Sequence, residues 1–225
     1  MITFNKEQQV FHLCNNQISY LIEVEEHGYL AHLYFGKKIN QYSGHYQYVR
    51  DMRSFGPYPE AADHDTFSLD TVMLEYPGYG FGDFREPAYN FKLKDGSRIT
   101  DFRYDSFEIV QGKCAIEGLP HLYTNQATEA ETLIITLKDD VAQLRLKLNY
   151  TIYQDYATVI RSITLINDSA ETVEINQLAS QSLDFPNRSF ELIHLNGAWG
   201  RERQLTREKI EIGTKVLDSK RGSSS

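Results

Sequence analysis

The side chains with the most chemical potential lie between 51 and 87. Asp51-Met52-Arg53-Ser54-Phe55-Gly56-Pro57-Tyr58-Pro59 runs on to Asp63-His64-Asp65, an irregular stretch with three aspartates and a histidine. Such a set could in principle hold a divalent cation. Its spacing matches neither the oxygen ligands of a calcium loop nor the Cys/His pairs of a zinc site, so it reads as a solvated, charged loop and no metal is expected. Loops this long in a compact domain nevertheless tend to carry function. Next, Glu75-Tyr76-Pro77-Gly78-Tyr79-Gly80-Phe81-Gly82-Asp83-Phe84-Arg85-Glu86-Pro87 has three glycines at alternate positions. A phosphate cradle needs a feeding strand, a following helix and a lysine, and this stretch has none of them. Its glycines instead let aromatic rings lie flat against neighbouring backbone. The third stretch is His194-Leu195-Asn196-Gly197-Ala198-Trp199-Gly200-Arg201-Glu202-Arg203, where the sole tryptophan of 225 residues sits between glycines just before three charged side chains. A core-filling tryptophan belongs in an apolar pattern, and this one reads as part of a turn signalled by Asn196-Gly197.

Hydrolytic chemistry would require two carboxylates facing one another across a cleft. Many carboxylates are present, but no pair is marked by its setting. A serine nucleophile elbow and a reactive-cysteine setting are also missing, and the seven histidines are scattered over strand-like stretches. No residue is therefore predicted to be catalytic, and no cofactor is expected.

The elements that must position these stretches are strands. Leu144-Arg145-Leu146-Lys147-Leu148-Asn149-Tyr150-Thr151-Ile152 alternates apolar and polar without a break, the signature of a strand with one buried face. Runs at 133–137 and 158–166, with turns at Asp139-Asp140 and Asn167-Asp168-Ser169, and a further run at 172–178 predict an antiparallel meander. Asp95-Gly96 between 90–93 and 98–102 predicts a hairpin, as do the runs 18–24 and 29–35. Helical pattern is scarce; 65–75 could supply a turn or two, capped by Thr66 or Ser68. Many closely spaced strands without intervening helices predict an all-β fold, a large two-sheet antiparallel β-supersandwich.

Composition narrows the partners. Lys plus Arg number 23 against 31 Asp plus Glu, a net charge of −8 with no basic run, which argues against nucleic acid and anionic membranes. Fifteen tyrosines and twelve phenylalanines suit half-buried sheet faces and sugar-contacting surfaces alike. Cys14 and Cys114 are too few for a disulfide framework. The first residues, MITFNKEQQVF, lack a basic region followed by an apolar one, and no apolar run approaches the ~18 residues of a membrane span. A soluble, cytoplasmic protein is expected.

Taken in order, Glu75–Gly80 with Gly82-Asp83-Phe84-Arg85, Trp199-Gly200-Arg201-Glu202-Arg203 and Arg221-Gly222-Ser223-Ser224-Ser225 resemble the N-terminal domain of family 36 glycoside hydrolases, the microbial α-galactosidases acting on melibiose and raffinose. The resemblance spans essentially the whole chain. It implies a supersandwich over 1–218, with 219–225 opening the linker to a (β/α)8 barrel that the sequence does not contain. In the family two barrel aspartates carry out a retaining double displacement, so catalysis is expected to reside beyond Ser225. It further implies a homo-oligomer, commonly a tetramer, in which the sandwich reaches a neighbour's active site and meets the α-galactoside there. Two positions match substrate-binding residues of the family. Asp51 resembles a carboxylate accepting hydrogen bonds from galactose hydroxyls, and Trp199 resembles the aromatic lining the galactose pocket. Two other functions stay open from sequence: a stand-alone carbohydrate-binding module, and a supersandwich enzyme of the aldose-epimerase sort, which would need a facing histidine and glutamate.

Overall fold

The computed structural model of the protein describes residues 1–42, 67–81, 85–118, 121–185 and 189–219. It is nearly all strand, and every strand pair is antiparallel. One four-stranded sheet is the meander of β1 (Ile2–Asn5), β2 (Val10–Cys14), β3 (Ile18–Val24) and β4 (Leu30–Lys37). Beyond it come β5 (Tyr89–Lys92), β6 (Arg103–Gln111), β7 (Ala130–Asp139), β8 (Leu144–Tyr153), β9 (Val159–Asn167) and β10 (Glu174–Leu178). Strands β6 to β9 form the second four-stranded sheet, and β5 and β10 pair as a short ribbon. The chain forms two compact units, Met1–Asp184 and Phe185–Ser225. The second unit carries β11 (Glu191–Ala198) and β12 (Arg201–Lys209), paired only with each other.

The alternation along β8 has the predicted consequence. Leu144, Leu146, Leu148, Tyr150 and Ile152 are all fully buried, while Arg145, Lys147 and Asn149 stay partly wet. With Leu133, Ile135 and Leu137 of β7 they meet Phe11, Leu13, Ile18, Tyr20 and Ile22 of the first sheet in one apolar cluster. The two four-stranded sheets are thus the layers of a sandwich. The first sheet is buried on its other face as well. There Val10, Leu21, Ala31 and Leu33 pack under Phe67, Leu69, Val72 and Leu74, each Val, Leu and Phe side chain contributing roughly 1.5–3 kcal/mol by leaving water.

Turn chemistry follows the predicted signals in part. Asp139 is buried and accepts from the amides of Val141 and Ala142 at 2.9 and 2.8 Å, closing the β7–β8 turn. Asn167 accepts from the Ser169 amide at 3.0 Å and so turns the chain after β9. Gly96 has φ +86 and its amide bonds the Leu93 carbonyl, so a turn forms there. The return segment 98–102 is not a strand, however, and β5 pairs instead with β10, which leaves the meander after β9. Where a helical turn was expected, residues 67–74 make an irregular turn. Thr71 bonds Ser68 through both its amide and its hydroxyl, and four apolar side chains point into one face of a sheet rather than down a helical stripe.

The sandwich closes around one charge. Glu75 is fully buried and its carboxylate accepts four donors: Tyr20 Oη at 2.7 Å, Tyr150 Oη at 3.0 Å, His32 Nδ1 at 3.0 Å and Arg161 at 3.0 Å. The Arg161 guanidinium also donates to the Ser182 carbonyl at 3.0 Å and stacks over the Tyr150 ring at 4.7 Å. Burial alone would push the Glu75 carboxyl up. The Arg161 charge, then the hydrogen bonds from His32 and Tyr20, reverse this and hold it below the ordinary carboxylate range. Burial, reinforced by the Glu75 charge, drives the Tyr20 phenol well above its ordinary value. It therefore stays a donor.

Glu75→Gln leaves the Arg161 charge buried without its counter-charge, and the expected cost is about 3–5 kcal/mol. Because the folded carboxyl titrates below its unfolded value of ~4.3, the stabilisation is complete above that pH and fades as pH falls through the folded value. Urea denaturation followed by circular dichroism should show a large gap between wild type and Glu75→Gln at pH 7, shrinking below about pH 4. Coincident curves at pH 7 would mean the pair contributes nothing.

Candidate functional site

Two groupings stand out chemically, and only one is open to a ligand. The Glu75 cluster brings a carboxylate, a histidine, a guanidinium and two phenols into hydrogen-bonding distance, a set able to move protons. Yet His32 is 3% exposed, Glu75 0% and the Arg161 side chain 4%. A cavity lined by Tyr29, Leu74, Tyr76, Phe81 and Tyr89 is about 20 Å³, space for a single water. No sugar reaches this carboxylate. Its role is structural.

Sequence reasoning missed this cluster, although a signal existed. In β9 the core-facing positions are Val159, Arg161, Ile163 and Leu165, three of them packed on the main core. A charge at the inward parity of an amphipathic strand demands a buried partner. Arg161 sits directly opposite Tyr150 on β8.

The glycine-punctuated stretch after Glu75 serves packing, as predicted. A Cβ on Gly78 would overlap the Tyr89 ring, and one on Gly80, at φ +97, would overlap Ile99. Tyr76 and Tyr89 stack at 5.6 Å between centroids, with Phe91 on the other side of Tyr89 at 5.5 Å. Tyr76 is buried, and Tyr79 is 37% exposed under the Arg98 guanidinium at 4.4 Å.

The open grouping is the β11–β12 hairpin. Cross-strand pairing sorts its side chains into two faces. One carries His194, Asn196, Thr206 and Glu208; the other carries Ile193, Leu195, Leu205 and Arg207. The polar face is internally satisfied. Asn196 donates to Thr206 at 2.6 Å, and Glu208 bonds His194 at 3.2 Å and Lys215 at 2.6 Å. The Lys215 bond, then that of His194, keeps the Glu208 carboxyl below its ordinary range. The apolar face is bare, with Ile193, Leu195 and Leu205 all more than half exposed.

At the tip Ala198 pairs with Arg201 across Trp199-Gly200. Gly200 supplies the turn with φ +76, and its amide donates to Glu202 at 2.7 Å. Asn196-Gly197, read from sequence as the turn, belongs to β11 instead; the reversal falls two residues later, at the glycine whose φ is positive. Trp199 is 92% exposed and makes no ring contact among the described residues. Of the two predicted substrate-binding residues, the structure thus places Trp199 on an exposed tip. Asp51, with the whole stretch from Arg53 to Asp65, lies outside the described residues, so the two are not brought together. Among the described residues no group of three or more potential metal ligands converges. No described helix is long and apolar enough to cross a membrane.

Comparison with known proteins converges on one family. The family model described as the glycosyl hydrolase family 36 N-terminal domain matches residues 28–225. Alpha-galactosidase AgaA of Geobacillus stearothermophilus is 41% identical over 224 residues, covering all of this chain and 31% of that protein. The crystal structure of the GH36 alpha-galactosidase AgaB from the same organism superposes with a TM-score of 0.92 at 40% identity, covering 100% of this chain and 30% of its own. A variant of AgaA solved in complex with raffinose superposes with a TM-score of 0.89 at 42% identity, over 96% of this chain and 30% of its own. The chain thus spans about a third of the length of the relatives it matches.

Because its ring has almost no contact to lose, Trp199→Ala is expected to lower the stability of the 225-residue chain by no more than ~0.5 kcal/mol. A core tryptophan would cost ~3–5 kcal/mol. Thermal melting of the two proteins side by side distinguishes these values, and a drop of several degrees would return Trp199 to a packing role.

Proposed function

The chain belongs to glycosyl hydrolase family 36, as its N-terminal domain, and from that premise we propose that it is the non-catalytic domain of a retaining α-galactosidase that hydrolyses terminal α-galactosides of the melibiose and raffinose type. On this reading the domain runs through residue 218 and 219–225 opens the linker to the catalytic barrel. The enzyme is a cytoplasmic homotetramer in which each such domain lends Asp51 and Trp199 to the galactose pocket of a neighbouring subunit. The observation that carries the reading is the tip itself: a rigid, amphipathic ring held 92% exposed at the turn of a two-stranded hairpin. A tryptophan has ~150–250 Å² of surface to bury, and its own unit offers nothing to bury it against. Pyranose rings present apolar C–H faces of matching width, and they are what the relative solved with raffinose binds.

The division of labour follows from the chemistry. Glycoside hydrolysis needs an acid and a nucleophile on opposite sides of the scissile bond. Glu75, whose carboxylate gathers four donors, is sealed in the sandwich. This domain therefore supplies contact and assembly surface, and the bond-breaking carboxylates come from the barrel.

Two outcomes are expected. The 225-residue chain alone should not release nitrophenol from an aryl α-galactoside above background, and turnover by the pure chain would refute the assignment. In the full-length enzyme Trp199→Ala should raise KM about tenfold, ~1.4 kcal/mol of lost contact. An unchanged KM would remove the tip from the pocket.

A further inference from the structure

Arg203 adopts a backbone conformation that its residue type disfavours. Register shifts on β12 between the pairs Asn196–Gln204 and Ala198–Arg201. Two residues on β11 there span three on β12, so β12 holds one extra residue, a β-bulge. Arg203 sits in that bulge with φ +56, the left-handed region where any side chain bearing a Cβ is strained. Glycine would occupy it freely, and this hairpin does use glycine three and six residues away, at 200 and 197. A strained non-glycine residue that persists beside an exposed anchor points to a use for its side chain.

That side chain is unspent. Among the described residues neither Arg201 nor Arg203 makes an ion pair or a side-chain hydrogen bond. The basic residues farther down the hairpin differ: Arg207 pairs with Glu191 at 3.3 Å and Lys215 with Glu208 at 2.6 Å. Charge is also divided unevenly along the chain. Residues 1–184 hold 15 Lys plus Arg against 26 Asp plus Glu, a net of −11, whereas 185–225 hold 8 against 5, a net of +3. An unpaired guanidinium presents a planar fork of donors that a carboxylate fills with two hydrogen bonds.

We propose that Arg203 is an anchoring residue: its guanidinium grips a carboxylate on the catalytic surface that receives Trp199, and the bulge exists to aim it there. This rests on the reading of Trp199 as a pocket residue. A bidentate grip of this kind fixes the height and rotation of the tip, which a lone aromatic ring cannot do, and it makes docking sensitive to salt.

The test uses the full-length enzyme for kinetics and the 225-residue chain for hairpin order. Arg203→Gly relieves the backbone, so amide protection of 191–209 in the 225-residue chain should hold or improve, while KM in the full enzyme rises about tenfold or more, the loss of a charge-assisted hydrogen bond. Arg203→Lys should recover only part of the loss, since an ammonium lacks the fork. Arg203→Glu should do worst, and its penalty should shrink as ionic strength rises. An unchanged KM in Arg203→Gly overturns the proposal, as does a KM loss that is matched by lost hairpin protection. Trp199→Ala run alongside separates the two levels. If it too leaves KM unchanged, the pocket reading fails; if it raises KM and Arg203→Gly does not, only the anchoring role fails.

Discussion

A single buried carboxylate organises the sandwich. Transferring Glu75 from water to an apolar interior costs several kcal/mol after relaxation, and no single partner offsets that. The structure meets it with four donors from four strands: Tyr20 on β3, His32 on β4, Tyr150 on β8 and Arg161 on β9. Those strands come from both sheets, and Glu75 itself belongs to the segment crossing between them. Its amide bonds the Leu30 carbonyl at 2.9 Å, while the His32 amide bonds the Met73 carbonyl at 2.7 Å. The charge cannot be satisfied unless both sheets and the crossing segment are in register together. The cluster therefore specifies one arrangement of the layers more than it adds net stability, since an apolar substitute of equal volume could be just as stable.

Nothing comparable holds the hairpin. Two strands alone are marginally stable in water, and β11–β12 buries none of the apolar side chains on its bare face. The contrast is one of sufficiency. In residues 1–184 the Glu75–Arg161 pair is buried and apolar side chains form two core clusters. Residues 185–225 expose Phe185, Phe190, Ile193, Leu195, Trp199 and Leu205 among others, more apolar surface than a self-contained unit of that length leaves in water. A hairpin built this way is stable in proportion to what it touches.

The sequence made strands legible where one face is wet and the other dry, because alternation with period 2 is then unambiguous; β8 is the clearest case, and β7 to β9 were found as a meander for that reason. Pairing across distance was not legible. Asp95-Gly96 announced a turn correctly, but nothing local says that β5 would take β10 as its partner in place of the residues just after that turn. Strands β1 and β2 are short and lack a run long enough to show a period. The segment 67–74 carries apolar residues at spacings that fit a helix as well as an irregular cover, and burial against β2 to β4 decided between them. At the site, Trp199 was legible because it is alone and out of pattern. Glu75 is not legible as the core charge, since a single glutamate at the head of an aromatic, glycine-rich stretch carries no periodicity; its mate Arg161, wrong for its parity, is the readable sign.

Charge makes the same point about scale. Over the whole chain, the net charge of −8 says nothing about geometry. Divided at Asp184 it becomes −11 and +3, and the excess positive charge falls on the unit that also carries the bare apolar face and the free tryptophan. Coulomb attraction between such a unit and an acidic receiving surface acts over about a Debye length, ~8–10 Å at physiological salt, long before any side chain touches. It can orient the approach, while Trp199 and the apolar row supply the short-range energy that keeps the contact. The interior uses opposite charges in the reverse sense: Glu75 and Arg161 act only when every neighbour is already in place. The buried pair Glu75–Arg161 helps specify the fold, while Arg201 and Arg203 at the tip form no ion pair among the described residues.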